Sequence, residues 1–214
     1  LLIVAAYLWG AVPTAYLVAR CIKGIDIRNY GSGNVGASNA AEHVGRRTGL
    51  AIGIFDAIGK GFLIVIVARL LGQNLAVQAG MGLAVIVGHN WSAYLRLAGG
   101  RGVATSLGVI LGLGLVWELP VWGVLILFGR IVRGDTALWA LLGALVLPFL
   151  AGARGQPAEI VWMLAGIALL VVTKRTMANW ERPTTDVLRV LTNRILWDRD
   201  ESDKEKWTVR RPLP

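Results

Sequence analysis

The sequence has few of the residues that build disulfides, metal centres or soluble surfaces. Its 214 residues include a single cysteine, Cys21, which excludes an intramolecular disulfide and a paired-cysteine metal site. Two histidines, His43 and His89, are too few for a multi-histidine centre, and we expect no metal and no cofactor. Charged residues make up 16% of the chain, whereas soluble domains carry about 25%. The composition therefore argues against a soluble domain, a disulfide scaffold and a metalloprotein.

Apolar residues, in contrast, are abundant and fall in long blocks. They make up 55% of the chain, and blocks of this kind predict an all-α polytopic membrane protein. The alternation of apolar and polar residues that a transmembrane barrel needs is missing. A net charge of +9 would suggest a nucleic-acid ligand in a soluble protein. In a membrane protein it reflects orientation, so we expect no nucleic-acid partner.

The apolar blocks predict seven transmembrane helices. They cover residues 1–19, 49–71, 75–94, 103–117, 119–128, 136–151 and 160–173. The fifth is expected to run on toward Val132. One long helix over 103–128 is the alternative to the fourth and fifth, but Glu118-Leu119-Pro120 in its middle predicts a turn.

The distribution of basic residues favours seven spans over six. With seven, nineteen of the 22 Lys and Arg residues share one side of the membrane, which predicts an outside N-terminus and a cytoplasmic C-terminus. Residues 1–196 are then one membrane domain, and the charged segment 197–214 is a solvated cytoplasmic tail. A few residues are expected to precede Leu1.

Two glycine-rich stretches interrupt the apolar blocks, and the topology places both in the cytoplasm. We call residues 31–39 (GSGNVGASN) the first glycine loop and residues 99–105 (GGRGVAT) the second glycine loop. Glycine lets backbone N–H groups approach an anion, and polar side chains add donors. The candidate phosphate-binding residues are Ser32, Gly33, Asn34, Ser38 and Asn39 in the first loop and Gly99, Gly100, Gly102 and Thr105 in the second. The first loop lacks the Gly-Lys-Ser/Thr ending of a nucleotide P-loop.

Arg101 stands among the glycines of the second glycine loop. A guanidinium grips a phosphate in bidentate fashion, and the flanking glycines leave room for the ligand. The helix predicted from Val103 would add free N–H groups nearby. The alternative role is an anchor to lipid headgroups.

Three of the ionisable residues within the apolar blocks are candidates for chemistry. Asp56 and Lys60 are four residues apart, hence on one helix face. They form either a private ion pair between helices or a site in which Lys60 faces an anionic substrate. His89 ends the third block just before the second glycine loop, and it is either a structural group or a general base.

Basic and polar residues follow the last predicted span. Arg175, Asn179 and Arg182 are spaced i, i+4 and i+7, so a helix would align them on one face that returns toward the glycine loops. The alternative is a basic cluster that only sets membrane orientation.

These motifs, in this order between these spans, resemble the bacterial PlsY family of integral membrane acyl-phosphate:glycerol-3-phosphate acyltransferases. The resemblance rests on both glycine loops, on Asp56 and Lys60, and on the Gly-His-Asn-Trp-Ser run that contains His89. It extends from the first residues to about Arg182. The resemblance implies seven membrane helices and three short motifs that meet at the cytoplasmic face of a bacterial plasma membrane.

The resemblance also implies an activity and its residues. The family transfers a fatty acyl group from acyl phosphate to the 1-hydroxyl of glycerol 3-phosphate, which gives lysophosphatidic acid and phosphate, so both reactants and membrane lipids are the expected partners. Ser32, Ser38 and Asn39 correspond to phosphate-binding residues, and Arg101 takes the place of a lysine. Arg175, Asn179 and Arg182 match the third motif. We therefore expect catalytic roles for Ser32, His89, Arg101 and Asn179, although a phosphate oxygen of the substrate is an alternative base to His89.

The chain departs from the family pattern at three places. Glu42 stands where the family usually has Arg, Thr176 where it has His, and Asp186 and Leu188 near its usual Gly and Glu. These departures keep a non-catalytic lipid-binding paralogue open as an alternative. Ionisable residues inside a span and short, broken spans would also suit an anion transporter.

Overall fold

The computed structural model describes residues 1–203, apart from the side chains of Arg133 and Trp180. All regular secondary structure in this range is helical, which confirms the predicted all-α class. Residues 204–214, the end of the predicted tail, lie outside the described range.

Eleven α-helices make up the described chain. They are α1 Leu2–Ala11, α2 Thr14–Lys23, α3 Ala37–His43, α4 Arg46–Ile54, α5 Leu63–Leu70, α6 Leu75–Asn90, α7 Val103–Gly112, α8 Glu118–Arg133, α9 Ala137–Ala153, α10 Ala158–Met177 and α11 Val187–Trp197. A π-helical stretch, Phe55–Phe62, joins α4 to α5.

Three helical segments are long and apolar enough to cross a membrane. They are Leu2–Lys23, Arg46–Leu70 and Ala158–Met177. Pro13 interrupts the first, since proline lacks the N–H that a continuous helix requires. The other predicted spans correspond to single helices, from α6 to α9, that are shorter than these three segments. The chain is thus built for the membrane, while the number of crossings stays a prediction.

The break between the fourth and fifth predicted spans lies earlier than expected. Helix α7 ends at Gly112, and the turn passes through Gly114, whose φ of 72° suits glycine. Glu118 then begins α8 rather than a turn. Pro120 lies in the first turn of that helix, where a missing N–H costs no hydrogen bond.

Glycines bring two helix pairs into close backbone contact. Gly10 of α1 lies against the carbonyl of Val85, and Gly88 of α6 lies against the carbonyl of Tyr7. A Cβ at either glycine would overlap that carbonyl, so neither position tolerates alanine without a shift. Close approach through small residues is the usual basis of helix packing in membranes.

The same device packs α7 against the π-helical stretch. A Cβ on Gly61 would overlap the Thr105 carbonyl, and one on Gly108 would overlap the Ala57 carbonyl. This contact fixes the end of the second glycine loop relative to Asp56, because Asp56 belongs to the π-helical stretch and Thr105 to α7.

The beginning of the predicted tail is folded rather than solvated. The carboxylate of Asp200 binds Arg194 at 2.5 Å, and Arg199 binds Asp135 at 2.6 Å. Arg194 is almost wholly buried and donates to the carbonyls of Thr176 and Glu181. Residues 197–201 are half-buried, and these ion pairs hold them against α11 and the turn before α9, whereas the division of the chain into a membrane domain and a cytoplasmic tail stays a prediction.

Candidate functional site

A polar cavity of about 1000 Å³ opens between the two glycine loops, α8, α9 and the C-terminal segment. Five arginines line it: Arg46, Arg101, Arg130, Arg175 and Arg199. Four carboxylates line it as well: Glu42, Asp56, Asp135 and Asp198. This cavity is the candidate site, because an excess of arginine over carboxylate suits an anionic ligand.

Eight of the predicted site residues line this cavity. They are Ser32, Asn34, Ser38, Asn39, His89, Arg101, Gly102 and Arg175. The other seven, Gly33, Lys60, Gly99, Gly100, Thr105, Asn179 and Arg182, are absent from its wall. Several of these seven hold the wall in place from behind.

The first glycine loop is shaped by the side chain of Asn39. Its Nδ2 donates to the carbonyls of Ile27, Tyr30 and Asn34 at 3.0–3.1 Å. Gly31, at a φ of 52°, passes so close to Asn39 and His43 that a Cβ would strike both. Asn39 is thus engaged in holding the loop, and its amide nitrogen is not free to bind a phosphate.

Ser32, Asn34 and Ser38 are polar residues that this loop brings to the cavity wall, and the first two have hydrogen-bonding capacity to spare. The Ser32 Oγ accepts a hydrogen bond from the Asn34 nitrogen at 3.3 Å and keeps its own proton available. The Asn34 side-chain oxygen is buried without a hydrogen-bond partner. Both residues therefore keep hydrogen-bonding capacity that a ligand in the cavity would satisfy.

The second glycine loop is fitted around His89. The Gly100 nitrogen donates to the His89 carbonyl at 3.0 Å, and a Cβ on Gly100 would overlap the imidazole ring. Gly102, at a φ of 74°, turns the chain into α7 beside the Asn90 side chain. Glycine is required at these two positions for different reasons, close approach at Gly100 and backbone conformation at Gly102.

Arg101 extends from this loop into the cavity. Its Nη1 donates to the carbonyl of Lys174 at 3.0 Å, and its Nε lies 2.6 Å from an Asp198 oxygen. The side chain is 12% exposed. The guanidinium is thereby fixed at the wall between the second glycine loop and the end of α10.

His89, Asp56 and Lys60 form a buried row that runs inward from the cavity, with His89 and Asp56 at its wall and Lys60 behind them. The His89 Nδ1 lies 3.7 Å from an Asp56 oxygen, and the same oxygen binds the Lys60 Nζ at 2.7 Å. Lys60 also donates to the Val12 carbonyl at 2.7 Å and has 2% of its side chain exposed. Of the two interpretations of Asp56 and Lys60, the geometry favours the private ion pair, because Lys60 is buried off the cavity wall, and a contact of Lys60 with substrate stays a prediction.

Asn179, just beyond α10, binds both glycine loops. Its Nδ2 donates to the Gly33 carbonyl at 3.2 Å, and its Oδ1 accepts from the Gly99 nitrogen at 3.2 Å and from Lys174 at 2.6 Å. The two glycine loops are also joined directly, since the Val35 nitrogen donates to the Gly99 carbonyl at 3.2 Å. Gly33 and Gly99 thus serve as attachment points of the wall.

The expected helical face of Arg175, Asn179 and Arg182 does not form. Helix α10 ends at Met177, and Ala178 and Asn179 have φ values of 40° and 57°. The left-handed turn sends the chain away from the helix axis, which leaves Arg182 exposed and off the cavity wall. The i, i+4, i+7 spacing aligns side chains only along a continuous helix, and here the helix ends before Asn179, whose bonds to Gly33 and Gly99 hold the turn.

Arg175 reaches the cavity wall but is tied to the protein. Its two terminal nitrogens donate to the carbonyls of Ile195 and Ala137, both at 2.7 Å. Only 2% of the residue is exposed, and its Nε lacks a hydrogen-bond partner. Arg175 therefore supplies positive potential to the cavity while it joins α10 to α9 and α11.

Thr105, predicted to bind substrate, is fully buried in α7 away from the cavity wall. Its carbonyl packs against Gly61, so the residue belongs to the helix contact.

Glu42 and Arg46 both line the cavity, whereas Arg47 does not. Arg46 thus brings a cation to the wall near the position where the family pattern has an arginine and this chain has Glu42.

An apolar groove of about 500 Å³ adjoins the polar cavity. The two share wall residues, namely Ala37, Ser38, Ala41, Ala104 and Leu107. The groove continues along Leu50, Ile54 and Ile58, which recur at helical spacing on α4 and the π-helical stretch. A ligand with a charged head and an apolar tail would fit across the shared wall.

Sequence reasoning missed several cavity residues. Arg130, Asp135, Trp197, Asp198 and Arg199 line the wall from α8, its following turn and the C-terminal segment. No local sequence pattern distinguishes these residues, because charged residues and a tryptophan at the ends of helices are equally typical of a solvated loop or a membrane interface. Lys174, which binds Asn179, directly follows the last predicted span. A basic residue at that place is equally typical of a signal that only sets membrane orientation.

The fold and cavity define an all-helical membrane protein with a site for an anionic, partly apolar ligand. A family model described as glycerol-3-phosphate acyltransferase matches residues 1–185. The chain therefore belongs to the glycerol-3-phosphate acyltransferase family, as the resemblance to PlsY predicts. It is a membrane-embedded acyltransferase of phospholipid biosynthesis.

Individual relatives support this assignment over nearly the whole chain. Glycerol-3-phosphate acyltransferase 5 of Dehalococcoides mccartyi is 42% identical, with 99% of this chain and 93% of that protein covered. Glycerol-3-phosphate acyltransferase of a Synechococcus species is 38% identical, with 85% and 90% covered.

Solved structures of PlsY, an integral membrane glycerol 3-phosphate acyltransferase, share the fold. The glycerol 3-phosphate form matches with a TM-score of 0.76 and 27% identity over 90% of this chain and 92% of that chain. The lysophosphatidic acid form matches with a TM-score of 0.74 and 26% identity over 90% and 91%.

Proposed function

We propose that this protein transfers a fatty acyl group from acyl phosphate to the 1-hydroxyl of glycerol 3-phosphate, which yields lysophosphatidic acid and phosphate. The observation that carries the proposal is the joined pair of compartments, an arginine-lined cavity and an apolar groove with a common wall. The donor needs both, since its phosphate is anionic and its chain is apolar. Glycerol 3-phosphate needs only the polar compartment.

The reaction requires positioning more than strong activation. The hydroxyl oxygen bonds to the acyl carbon, the bond from that carbon to the phosphate oxygen breaks, and phosphate leaves. Phosphate is a good leaving group, so the protein must chiefly orient the hydroxyl and stabilise developing negative charge. Arg101 is placed for the second task, because its guanidinium lies at the cavity wall beside the end of α10.

Two groups can accept the hydroxyl proton. His89 reaches the cavity wall, and its Nδ1 lies 3.7 Å from an Asp56 oxygen, which is too long for a hydrogen bond but close enough for the carboxylate to favour a protonated ring. A phosphate oxygen of either reactant is the alternative and needs no protein base. Replacement of His89 by glutamine separates these routes, because only the imidazole route then loses its base.

We further propose that the site faces the cytoplasm of a bacterial inner membrane, with seven spans and an outside N-terminus. The native Cys21 is exposed near the cytoplasmic end of α2 in this topology, whereas Gln156, between α9 and α10, lies outside. In intact cells, a membrane-impermeant maleimide should label a Cys21→Ala, Gln156→Cys variant and spare the native protein. Labelling of Cys21 from outside would overturn this orientation.

The activity is tested with purified, reconstituted protein and radiolabelled glycerol 3-phosphate. Acyl phosphate and acyl coenzyme A are supplied in parallel as donors. Labelled lysophosphatidic acid should form with acyl phosphate, and an Arg101→Ala variant that inserts normally should lose most of this activity. Product from acyl coenzyme A alone would reject the donor, and no product from either donor would reject the reaction.

A further inference from the structure

The carboxylate of Asp198, in the C-terminal segment, forms an ion pair with Arg101, the arginine to which the proposed reaction assigns a role. The Asp198 oxygen lies 2.6 Å from the Arg101 Nε, and both side chains line the polar cavity. Asp198 is 21% exposed on its side chain, so it faces the cavity rather than the protein core. A carboxylate and a phosphate make the same kind of contact with a guanidinium.

The position of Asp198 is built by the chain around it. Asp198 ends α11 with a left-handed φ of 57°, which turns its side chain away from the helix. On its two sides the ion pairs Arg194–Asp200 and Arg199–Asp135 attach the segment to α11 and to the turn before α9. The Asn193 Nδ2 adds a hydrogen bond to the Asp200 carbonyl at 2.9 Å.

This segment lies beyond the part of the chain that defines the family. The family model matches residues 1–185, and Asp198 lies thirteen residues further on. Trp197, Asp198 and Arg199 nevertheless form part of the cavity wall. The carboxylate therefore reaches the site from outside the region that the family model matches.

We propose that Asp198 is an internal competitor for the phosphate group at Arg101 and thereby sets the affinity of the cavity for its phosphate-bearing ligands. A phosphate that binds Arg101 must displace this carboxylate or share the guanidinium with it. The phosphate and the Asp198 carboxylate are both negative and would lie side by side at one guanidinium, so they repel each other. Either route therefore weakens binding. The catalytic consequence rests on the proposed function, whereas the binding consequence does not.

The pairing geometry agrees with a contact that a ligand can replace. The Arg101 Nε and the Asp198 oxygen are close, yet the angle does not make a hydrogen bond. The Arg101 Nη1 is held independently by the Lys174 carbonyl. Removal of the Asp198 charge should therefore leave the guanidinium near its present place.

The test measures the affinity of the purified full-length protein for inorganic phosphate by isothermal titration calorimetry. Asp198→Asn is compared with Glu201→Gln, which removes one negative charge three residues away and outside the cavity wall. We expect Asp198→Asn to lower the Kd for phosphate about five-fold, the size typical of a partly exposed ion pair. Glu201→Gln should leave the Kd within about two-fold.

Two further measurements make the result decisive. In an Arg101→Ala background, Asp198→Asn should no longer tighten phosphate binding, because the contested cation is gone. In the acyl transfer assay, Asp198→Asn should lower the KM for acyl phosphate, for glycerol 3-phosphate or for both, and by a larger factor than it changes kcat. An unchanged or weaker phosphate affinity in Asp198→Asn overturns the proposal, even if acyl transfer is demonstrated. Tighter binding without turnover would uphold it and reject the proposed reaction instead.

Discussion

The side-chain oxygen of Asn179 accepts a hydrogen bond from the backbone nitrogen of Gly99 at 3.2 Å. The amide nitrogen of the same side chain binds the Gly33 carbonyl. One residue thus holds both glycine loops at the cavity wall while it stands outside the wall itself. Its importance follows from positioning rather than from contact with a reacting atom.

Asn179→Ala should lower kcat about 100-fold, the loss expected when catalytic loops are misplaced by about 1 Å. Asn179→Asp is the informative partner, because it keeps the oxygen that faces Gly99 but replaces the donor that faces Gly33 by an acceptor. We expect it to be impaired as well. Activity is measured by acyl transfer, and thermal unfolding verifies that each variant is folded. Full activity in Asn179→Asp would show that the Gly33 bond is dispensable.

Arg101 should show a graded response to substitution. Arg101→Ala removes the cation and is expected to reduce kcat/KM about 100-fold, comparable to the loss of one charge-stabilising group. Arg101→Lys keeps the charge but loses the bond from Nη1 to Lys174, so we expect a loss of about tenfold. The comparison uses kcat/KM for each reactant. Equal losses in the two variants would mean that guanidinium geometry, rather than charge, is what matters.

Gly100 offers a test of how tightly His89 is seated. In Gly100→Ala the new Cβ would overlap the imidazole, and the histidine must move. We expect kcat to fall at least about tenfold. Gly123→Ala in α8 is the control, because a Cβ there meets no atom within 4 Å.

His89→Gln should impair turnover and flatten its dependence on pH if the imidazole is the base. A normal pH profile in His89→Gln would assign the proton to a phosphate oxygen.

Much of this architecture can be predicted from local sequence, and the reasons are physical. Apolar blocks require burial in lipid, and Gly, Ser and Asn runs cannot form spans, so helices and loops alternate as the pattern predicts. The spacing of Asp56 and Lys60 predicts their pairing, which the structure confirms. These features depend on residues that are neighbours along the chain.

Features that depend on distant contacts could not be predicted. The left-handed turn at Ala178 and Asn179 occurs without glycine or proline and is held by bonds to loops 80 and 146 residues away. Asp198 looks like part of a charged tail until Arg101 is placed beside it. A single sequence carries no signal for this pair, since the glycines around Arg101 indicate a ligand site but nothing near either residue links it to the other.

The pair of Asp56 and Lys60 should respond to single and double substitution differently. Lys60→Met leaves a buried carboxylate without its cation, and we expect a loss of about 3 kcal/mol in stability. In the double variant Asp56→Asn, Lys60→Met most of that loss should be recovered, because no uncompensated charge remains. Thermal unfolding in detergent measures both. If Asp56 also orients His89, the double variant stays slow despite its restored stability.

His43 should make the first glycine loop sensitive to acid. Burial lowers the pKa of His43 below its usual 6.5, an effect that Glu42 opposes and Lys23 reinforces. The neutral ring is therefore favoured in the folded state, and its contribution to stability is present above pH 6.5 and lost as pH falls through the lower folded pKa. The buried Nε2 lies beside Gly31 without a hydrogen-bond partner, so a proton there would strain the loop.

The measurement is the thermal stability of the purified protein between pH 7.5 and about pH 5, a range that brackets the ordinary histidine pKa. The native protein should lose stability toward the acid end, and His43→Gln should lose less, because glutamine does not titrate. Phosphate binding should weaken less in His43→Gln than in the native protein over the same range, since the loop that His43 supports presents Ser32 and Asn34 to the cavity. The comparison of the two proteins cancels the protonation of phosphate itself. Parallel pH curves for the two proteins would remove His43 as the cause of the acid response.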